Sequence, residues 1–229
     1  MKHLVATMVA LAALVLAASA PAAVTARGGN VTQRTIEDRF AGSTFDPNVW
    51  AWWGTGQPGF LSFAQGKGVM TVNVAADAPP DFNLSGQTRC LASGDFDARV
   101  DFNLIAWPSR NGTWVSLMVG NGSPYNAYRV SWQFDPSEQY GAYLPPSGNT
   151  LPANDTGGSL RLRRWGDIYT GYYLSGRRWV PIVSGIGPTG DVPLTLGVFN
   201  ISNAATFAGM PVTIAWDNFR VTADRVVCP

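Results

Sequence analysis

The stretch from Gly157 to Trp179, GGSLRLRRWGDIYTGYYLSGRRW, alternates apolar and polar residues on either side of a Trp165-Gly166-Asp167 turn and turns again at Ser175-Gly176. Successive side chains of a strand point to opposite faces, so this alternation describes two strands with one face buried. Pairing across the first turn sets Arg164 opposite Tyr169. Leu160, Leu162, Gly171 and Tyr173 then share one face, and Arg161, Arg163, Thr170 and Tyr172 share the other. The first face reads as buried and the second as wet.

The same period recurs along the chain, between clusters of Gly, Pro and Asn. From Asp95 to Trp107, Phe96, Ala98, Val100, Phe102, Leu104 and Ala106 fall on one side, with Asp95, Asp97, Arg99, Asp101 and Asn103 on the other. Further strands are expected at Val69 to Ala75, Trp114 to Val119, Ala127 to Phe134, Val192 to Phe199 and Val212 to Val221. Along the last of these, Val212, Ile214 and Trp216 share a side, yet Phe219 and Val221 rejoin it only after an odd-numbered shift, so a bulge is expected at Asp217-Asn218. No window of helical period persists beyond the N-terminal segment. These signs together give an all-β chain, an antiparallel two-sheet sandwich.

The hairpin matches the pattern L-R-L-x-R-x-G-D-x-Y-x-x-Y-Y followed by a turn and a Trp, and it is joined by Gly94-Asp95-Phe96-Asp97, by the Trp50 to Trp53 cluster and by Ala215 to Val221. In these features the chain resembles the concanavalin A-like lectin/glucanase jelly rolls, in particular the accessory β-sandwiches appended to secreted glycoside hydrolases and the laminin-G-like domains. The resemblance implies an antiparallel two-sheet jelly-roll sandwich that faces carbohydrate. It also implies a structural Ca²⁺ held by an Asp on the last strand, here Asp217, with carbonyl oxygens near the first strand, read as Ile36 to Phe40 followed by Gly42.

Lys2 and His3 precede an apolar run from Leu4 to Ala18, and small residues at Ala18-Ser19-Ala20 or Val24-Thr25-Ala26 supply a cleavage pattern. This is the layout of a secretory signal peptide spanning residues 1–26, with cleavage after Ala20 or Ala26. The run of about 15 residues is short of the ~20 that a membrane span needs. Residues 27–229 are then one jelly-roll domain, secreted or held in the cell envelope. In an oxidising compartment the two cysteines, Cys90 and Cys228, are expected to form a disulfide, with Cα atoms about 4.4–6.8 Å apart.

The chain holds 16 Lys and Arg against 15 Asp and Glu, and loss of Lys2 leaves 15 against 15. A chain so close to neutral argues against a nucleic-acid partner, whose phosphates demand clustered positive charge.

The only His is His3, inside the leader, so the domain has no imidazole base and no Ser-His-Asp or Cys-His arrangement. Carboxylates remain. The glucanases that the chain resembles carry Glu-x-Asp-x-x-Glu on one strand, a motif absent here, where Glu37 and Glu138 are the only glutamates and stand far apart. Asp95, Asp97 and Asp101 share a strand face, and neighbours at i and i+2 lie about 7 Å apart, within the window for an inverting glycosidase. An alternating strand also places polar groups toward solvent for no chemical reason.

Aromatic rings stack on sugar C–H faces, and Arg or Gln makes planar hydrogen bonds to hydroxyls. The resemblance implies that the two sheet segments adjoin, so that Arg161, Arg163 and Tyr172 on the hairpin, with Arg129 and Gln133 on another strand, are expected to line one glycan-binding surface. Trp114, Trp132, Trp179 and Trp216 are expected in the core. The sequence alone reads as a non-enzymatic carbohydrate-recognition module. The alternatives are a glycoside hydrolase or lyase using Asp residues, and a protein-interaction domain of the cell surface or wall.

Overall fold

The computed structural model describes residues 34–55, 59–79, 82–120, 124–132, 137–200 and 209–229, without the side chains of residues 52–55. The leader expected at residues 1–26 lies outside this set. Among the described residues there are strands and no helix. The first eight are β1 (Arg34–Asp38), β2 (Trp50–Thr55), β3 (Leu61–Gly66), β4 (Val69–Val74), β5 (Asn83–Thr88), β6 (Leu91–Ala106), β7 (Thr113–Val119) and β8 (Asn126–Ser131). The rest are β9 (Glu138–Leu144), β10 (Ser147–Pro152), β11 (Gly157–Trp165), β12 (Ile168–Ser175), β13 (Arg178–Ile186), β14 (Leu194–Asn200) and β15 (Val212–Val227).

They form two antiparallel sheets. The eight-stranded sheet runs β13-β12-β11-β6-β15-β4-β3, with β1 also paired to β15, and the seven-stranded sheet runs β10-β9-β8-β7-β14-β5-β2. The apolar face of β6, from Phe96 to Leu104, meets Val115, Leu117 and Val119 of β7 and Leu194, Leu196 and Val198 of β14 in one core. Each such side chain, fully buried, contributes about 1.5–3 kcal/mol.

The hairpin has the register that its alternation implied, with Arg164 opposite Tyr169 and Leu160 opposite Tyr173. Its first turn is Gly166-Asp167, with Gly166 at φ 63°. A positive φ at the first central residue is the type II′ arrangement, whose twist suits a two-residue hairpin and which glycine adopts without strain. Gly171 is small for a different reason. A Cβ there would stand 2.5 Å from that of Ala142 on the facing sheet.

The bulge expected near Asp217-Asn218 is present as a register shift of β15 against β6 between Asp217 and Arg220. It turns Phe219 and Val221 back to the core and leaves Arg220 on the outside. Cys90 and Cys228 are bonded, at a Cα separation of 4.2 Å, just below the expected range. The bond ties the start of β6 to the end of β15, and closing a loop that spans 138 residues is worth up to about 5 kcal/mol in the chain-entropy picture.

Arg164 is on the buried face of β11 and only 1% exposed. Both Nε and Nη2 donate to the carbonyl of Gly94, while Nη1 donates to the carbonyls of Gly190 (2.7 Å) and Pro188 (3.2 Å). The guanidinium also covers the Phe96 ring at 5.1 Å. A buried cation answered by carbonyl dipoles is tolerable, and removing it strands those carbonyls. Arg164→Ala is therefore expected to cost about 3 kcal/mol, lowering Tm by roughly 6–12 °C. A thermal melt within 2 °C of wild type, on the order of 1 kcal/mol or less, would show that the pin is dispensable.

Candidate functional site

The outer face of the eight-stranded sheet carries the polar residues of β6, β11 and β15, and their side chains border a groove of about 590 Å³. Its lining includes Asp95, Asp97 and Arg99 of β6, Arg161, Arg163 and Trp165 of β11, Trp179 of β13, and Arg220, Thr222 and Asp224 of β15. A neighbouring depression of about 380 Å³ shares Arg99, Trp179 and Arg220 and adds Glu37, Asp101 and Asn218. A third, of about 190 Å³, lies between Arg163, Trp165, Thr170 and Tyr172. Strand register explains the gathering. Arg161 pairs with Arg99 across β11 and β6, and Arg99 with Arg220 across β6 and β15, so the outward residues form cross-strand rows.

Within the groove, Asp97 receives both Nε and Nη2 of Arg161, the former at 2.7 Å. The carboxylate raises the already high pKa of Arg161, chiefly through this hydrogen bond, and partial burial works against it. The Arg161 guanidinium lies over the Tyr172 and Trp179 rings at 5.3 Å each, and that of Arg163 over Trp165 at 5.2 Å. Asp95 accepts from the Gly166 N–H at 2.7 Å, so the hairpin turn holds it. Asp224 Oδ2 accepts from the backbone N–H of Asp95 at 2.9 Å, which holds the Asp224 carboxylate against the β6 main chain at one end of the groove. Gly94 makes room for Asp224, since a Cβ at that position would stand 2.5 Å from Asp224 Oδ2. Asp101 accepts from Ser159 at 2.5 Å and from Asn218 at 3.0 Å.

Arg161, Arg163 and Tyr172 are thus brought together as expected. Arg129 is not with them. It belongs to the other sheet, points inward with Ala127 and is 1% exposed. Its Nη1 meets Glu138 Oε2 at 2.6 Å, the guanidinium covers the Tyr140 ring at 5.6 Å, and Trp107 Nε1 donates to the same Glu138 oxygen at 2.7 Å. This is an internal ion pair at the corner of β8 and β9, joined by Tyr140 donating to Asp155 at 2.9 Å. Burial, then the Asp155 charge, pushes the Tyr140 pKa well above the ordinary tyrosine value. The physical reason for the correction is phase. Tyr128 and Val130 face outward beneath Trp114, in a separate cluster with Trp132 and Phe199, and that turns Arg129 inward. Gln133 lies outside the described residues.

Trp179 also departs from expectation, lying in the groove instead of the core, whereas Trp216 is buried. The sequence reading passed over Arg99, Trp165, Arg220 and Asp224 as site residues. Arg99 was legible on the polar face of its strand. Arg220 was hidden by the bulge that reverses the phase.

On the opposite sheet Trp114 stacks near Tyr128 (ring centroids 4.1 Å), Trp132 (5.2 Å) and Phe199 (5.7 Å). Burial there pushes the Tyr128 pKa up to about 12. None of these residues is a carboxylate.

Asp217 lies at the bulge, where Oδ1 accepts the Asn218 N–H at 2.6 Å. Among the described residues no group of three or more His, Cys, Asp or Glu side chains gathers to hold a metal. Any cation at Asp217 would draw the rest of its oxygens from carbonyls and water.

No family model and no curated protein matches the chain by sequence. Solved structures do match by shape. A glycosyl hydrolase family protein from Mycobacterium fortuitum superposes with a TM-score of 0.57 at 14% identity, covering 81% of this chain and 98% of its own. A β-1,3-1,4-glucanase (lichenase) from a mouse hindgut metagenome gives 0.53 at 12% identity, covering 83% and 99%. A structure reported with endo-acting O-glycanases of the human gut microbiota gives 0.60 at 13% identity, covering 82% and 98%. The fold is the concanavalin A-like jelly roll. At these identities the likeness establishes the fold alone, but it corrects the reading of the chain as a non-enzymatic recognition module. These structures, which share the fold over nearly their whole length, are described as a glycosyl hydrolase family protein, a lichenase and endo-acting O-glycanases.

Trp165 is 65% exposed, so Trp165→Ala should leave Tm within about 2 °C of wild type. Trp216→Ala should cost about 3–5 kcal/mol. Equal losses of stability in the two variants would mean that the groove tryptophan is a packing residue.

Proposed function

We propose that the protein is a secreted glycoside hydrolase that cuts polysaccharide with aspartate carboxyl groups in the groove of the eight-stranded sheet. The observation that carries this reading is one groove lined by Asp95 and Asp224, linked through the Asp95 main-chain N–H, and by two tryptophans. The hydrolases that share the fold support it, and so does the absence of any His from residues 27–229, which leaves carboxylates as the acid and base. The N-terminal apolar run and the disulfide support export.

Hydrolysis requires one carboxyl group to protonate the leaving oxygen as the glycosidic C–O bond breaks. The second takes a proton from the attacking water, or attacks the sugar and is later released by water. Both oxygens of Asp97 are taken up by Arg161 in a bidentate pair. Its part is to fix Arg161 over Tyr172 and Trp179. Asp95 Oδ2 and Asp224 Oδ1 have no hydrogen-bond partner among the described residues, so both carboxyl groups keep an oxygen for substrate. Trp165 and Trp179 offer faces for the sugar rings on either side.

Release of new reducing ends from a polysaccharide panel tests the reading. Asp95→Asn and Asp224→Asn should each reduce turnover about 100-fold or more, the usual size of an acid/base contribution, with Tm preserved. Unchanged turnover in both variants, or no turnover by wild type on any member, would overturn it. An unsaturated sugar at the cut end would show elimination in place of hydrolysis.

A structural calcium ion beside Asp217 is a second and separate proposal. It is supported by the bulge and by the pairing of Asp38 with Phe219, which brings the end of β1 within two residues of Asp217. Adding a chelator should then lower Tm, and restoring calcium but not magnesium should recover it. A melting curve indifferent to all three would remove the ion.

A further inference from the structure

The middle of the groove has an electrostatic arrangement that the protein alone leaves unbalanced. Arg161, Arg99 and Arg220 stand in one cross-strand row over β11, β6 and β15. Side chains in such register are about 5 Å apart at Cβ, and like charges placed opposite one another destabilise a sheet. Arg161 is answered by Asp97. Among the described residues no carboxylate reaches ion-pair distance of Arg99 or Arg220, nor of Arg163 one row away. The nearest acid in line is Glu37 of β1, paired in register with Arg220, and it is bound at 2.6 Å to Arg39. Its pKa is lowered first by Arg39 and more weakly by Arg220 and Arg99.

The chain as a whole is near neutral, and the two depressions together are lined by six arginines and five carboxylates, so the excess is confined to this row. Guanidinium groups match planar and tetrahedral oxyanions with paired N–H donors. The strand spacing of about 4.8 Å that separates them is comparable with the advance of an extended polysaccharide per sugar residue. Arg99 lies four residues, about 13 Å, from Asp95 along the strand, so an anion held at the row leaves the aspartate end free of it. Trp179 borders both depressions and connects them.

We propose that the groove takes an acidic polysaccharide, with Arg99 and Arg220 receiving its carboxylate or sulfate groups. This specificity rests on the reading of the groove as a carbohydrate-cutting site and names its substrate class. Equilibrium binding of the full chain carrying Asp95→Asn, compared across polygalacturonate, dextran sulfate, dextran, laminarin and duplex DNA, tests it independently of turnover. The expected result is binding to polygalacturonate, to dextran sulfate or to both, at least tenfold tighter than to dextran, laminarin or DNA. Whichever binds identifies carboxylate or sulfate as the group recognised. That affinity should fall as salt is raised from low to physiological strength. It should also fall at least tenfold in Arg99→Gln/Arg220→Gln, with Tm unchanged, and be partly retained in Arg99→Lys/Arg220→Lys.

Neutral glucans bound as tightly as the acidic ones, DNA bound equally well, no binding to any probe, or a Gln variant with undiminished affinity would each overturn the proposal. Should the Gln pair fail to fold, Arg220→Gln alone is read by the same criterion. Reducing-end release by wild type is scored separately. Neutral glucan cut and acidic glycan ignored would sink the specificity and spare the hydrolase reading, whereas acidic glycan bound but never cut would do the reverse.

Discussion

The antiparallel pairing of β6 with β15 is the constraint from which the rest of the molecule is built. Each strand runs for 16 residues, and together they form the middle of the eight-stranded sheet. The disulfide closes one end of the pair, and β11, β4 and β1 add to its flanks. One face supplies Phe96, Val100, Trp216 and Phe219 to the core. The other supplies Asp95, Asp97, Arg99, Arg220 and Asp224 to the groove. Stability and candidate chemistry are two sides of one ladder. A change that slips the register by a single residue would exchange them.

The bulge between Asp217 and Arg220 shows how narrowly the site is set. Without it, the alternation that buries Trp216 would also bury residues 218 and 220, sending an arginine into the core and Phe219 into water. One extra residue corrects the phase, and it is this correction that aligns Arg220 with Arg99. Conformational permission is needed locally, and Asn218, at φ 50°, supplies it.

Most of the fold was legible because a half-buried strand writes its inside and outside as a period of two. The hairpin at Arg164 and Tyr169, the long strand through Asp95 and the bulge itself all followed from that period. Arg129 was misplaced for a reason that alternation cannot reveal: both faces of β8 are buried, one by the sandwich core and one by Trp114 and its neighbours, so polarity no longer distinguishes them. The arginine goes inward because Glu138 waits there, a partner on the next strand. Trp179 was expected in the core, though an indole on an edge strand serves as readily to stack on a guanidinium. The link between Asp224 and the main chain of Asp95, separated by 129 residues, exists only once β6 and β15 have paired.

The two outer faces of this sandwich make different offers to a carbohydrate. The seven-stranded sheet presents a closely packed aromatic cluster around Trp114 and Trp132, and the eight-stranded sheet presents charged rows edged by Trp165 and Trp179. Indole N–H signals of the four tryptophans, followed by NMR during titration with an oligosaccharide of a bound polysaccharide, separate these faces directly. The groove on the eight-stranded sheet predicts saturable shifts for Trp165 and Trp179 with Trp114 and Trp132 unmoved. Shifts confined to Trp114 and Trp132 would place carbohydrate on the other face and contradict the assignment of the site.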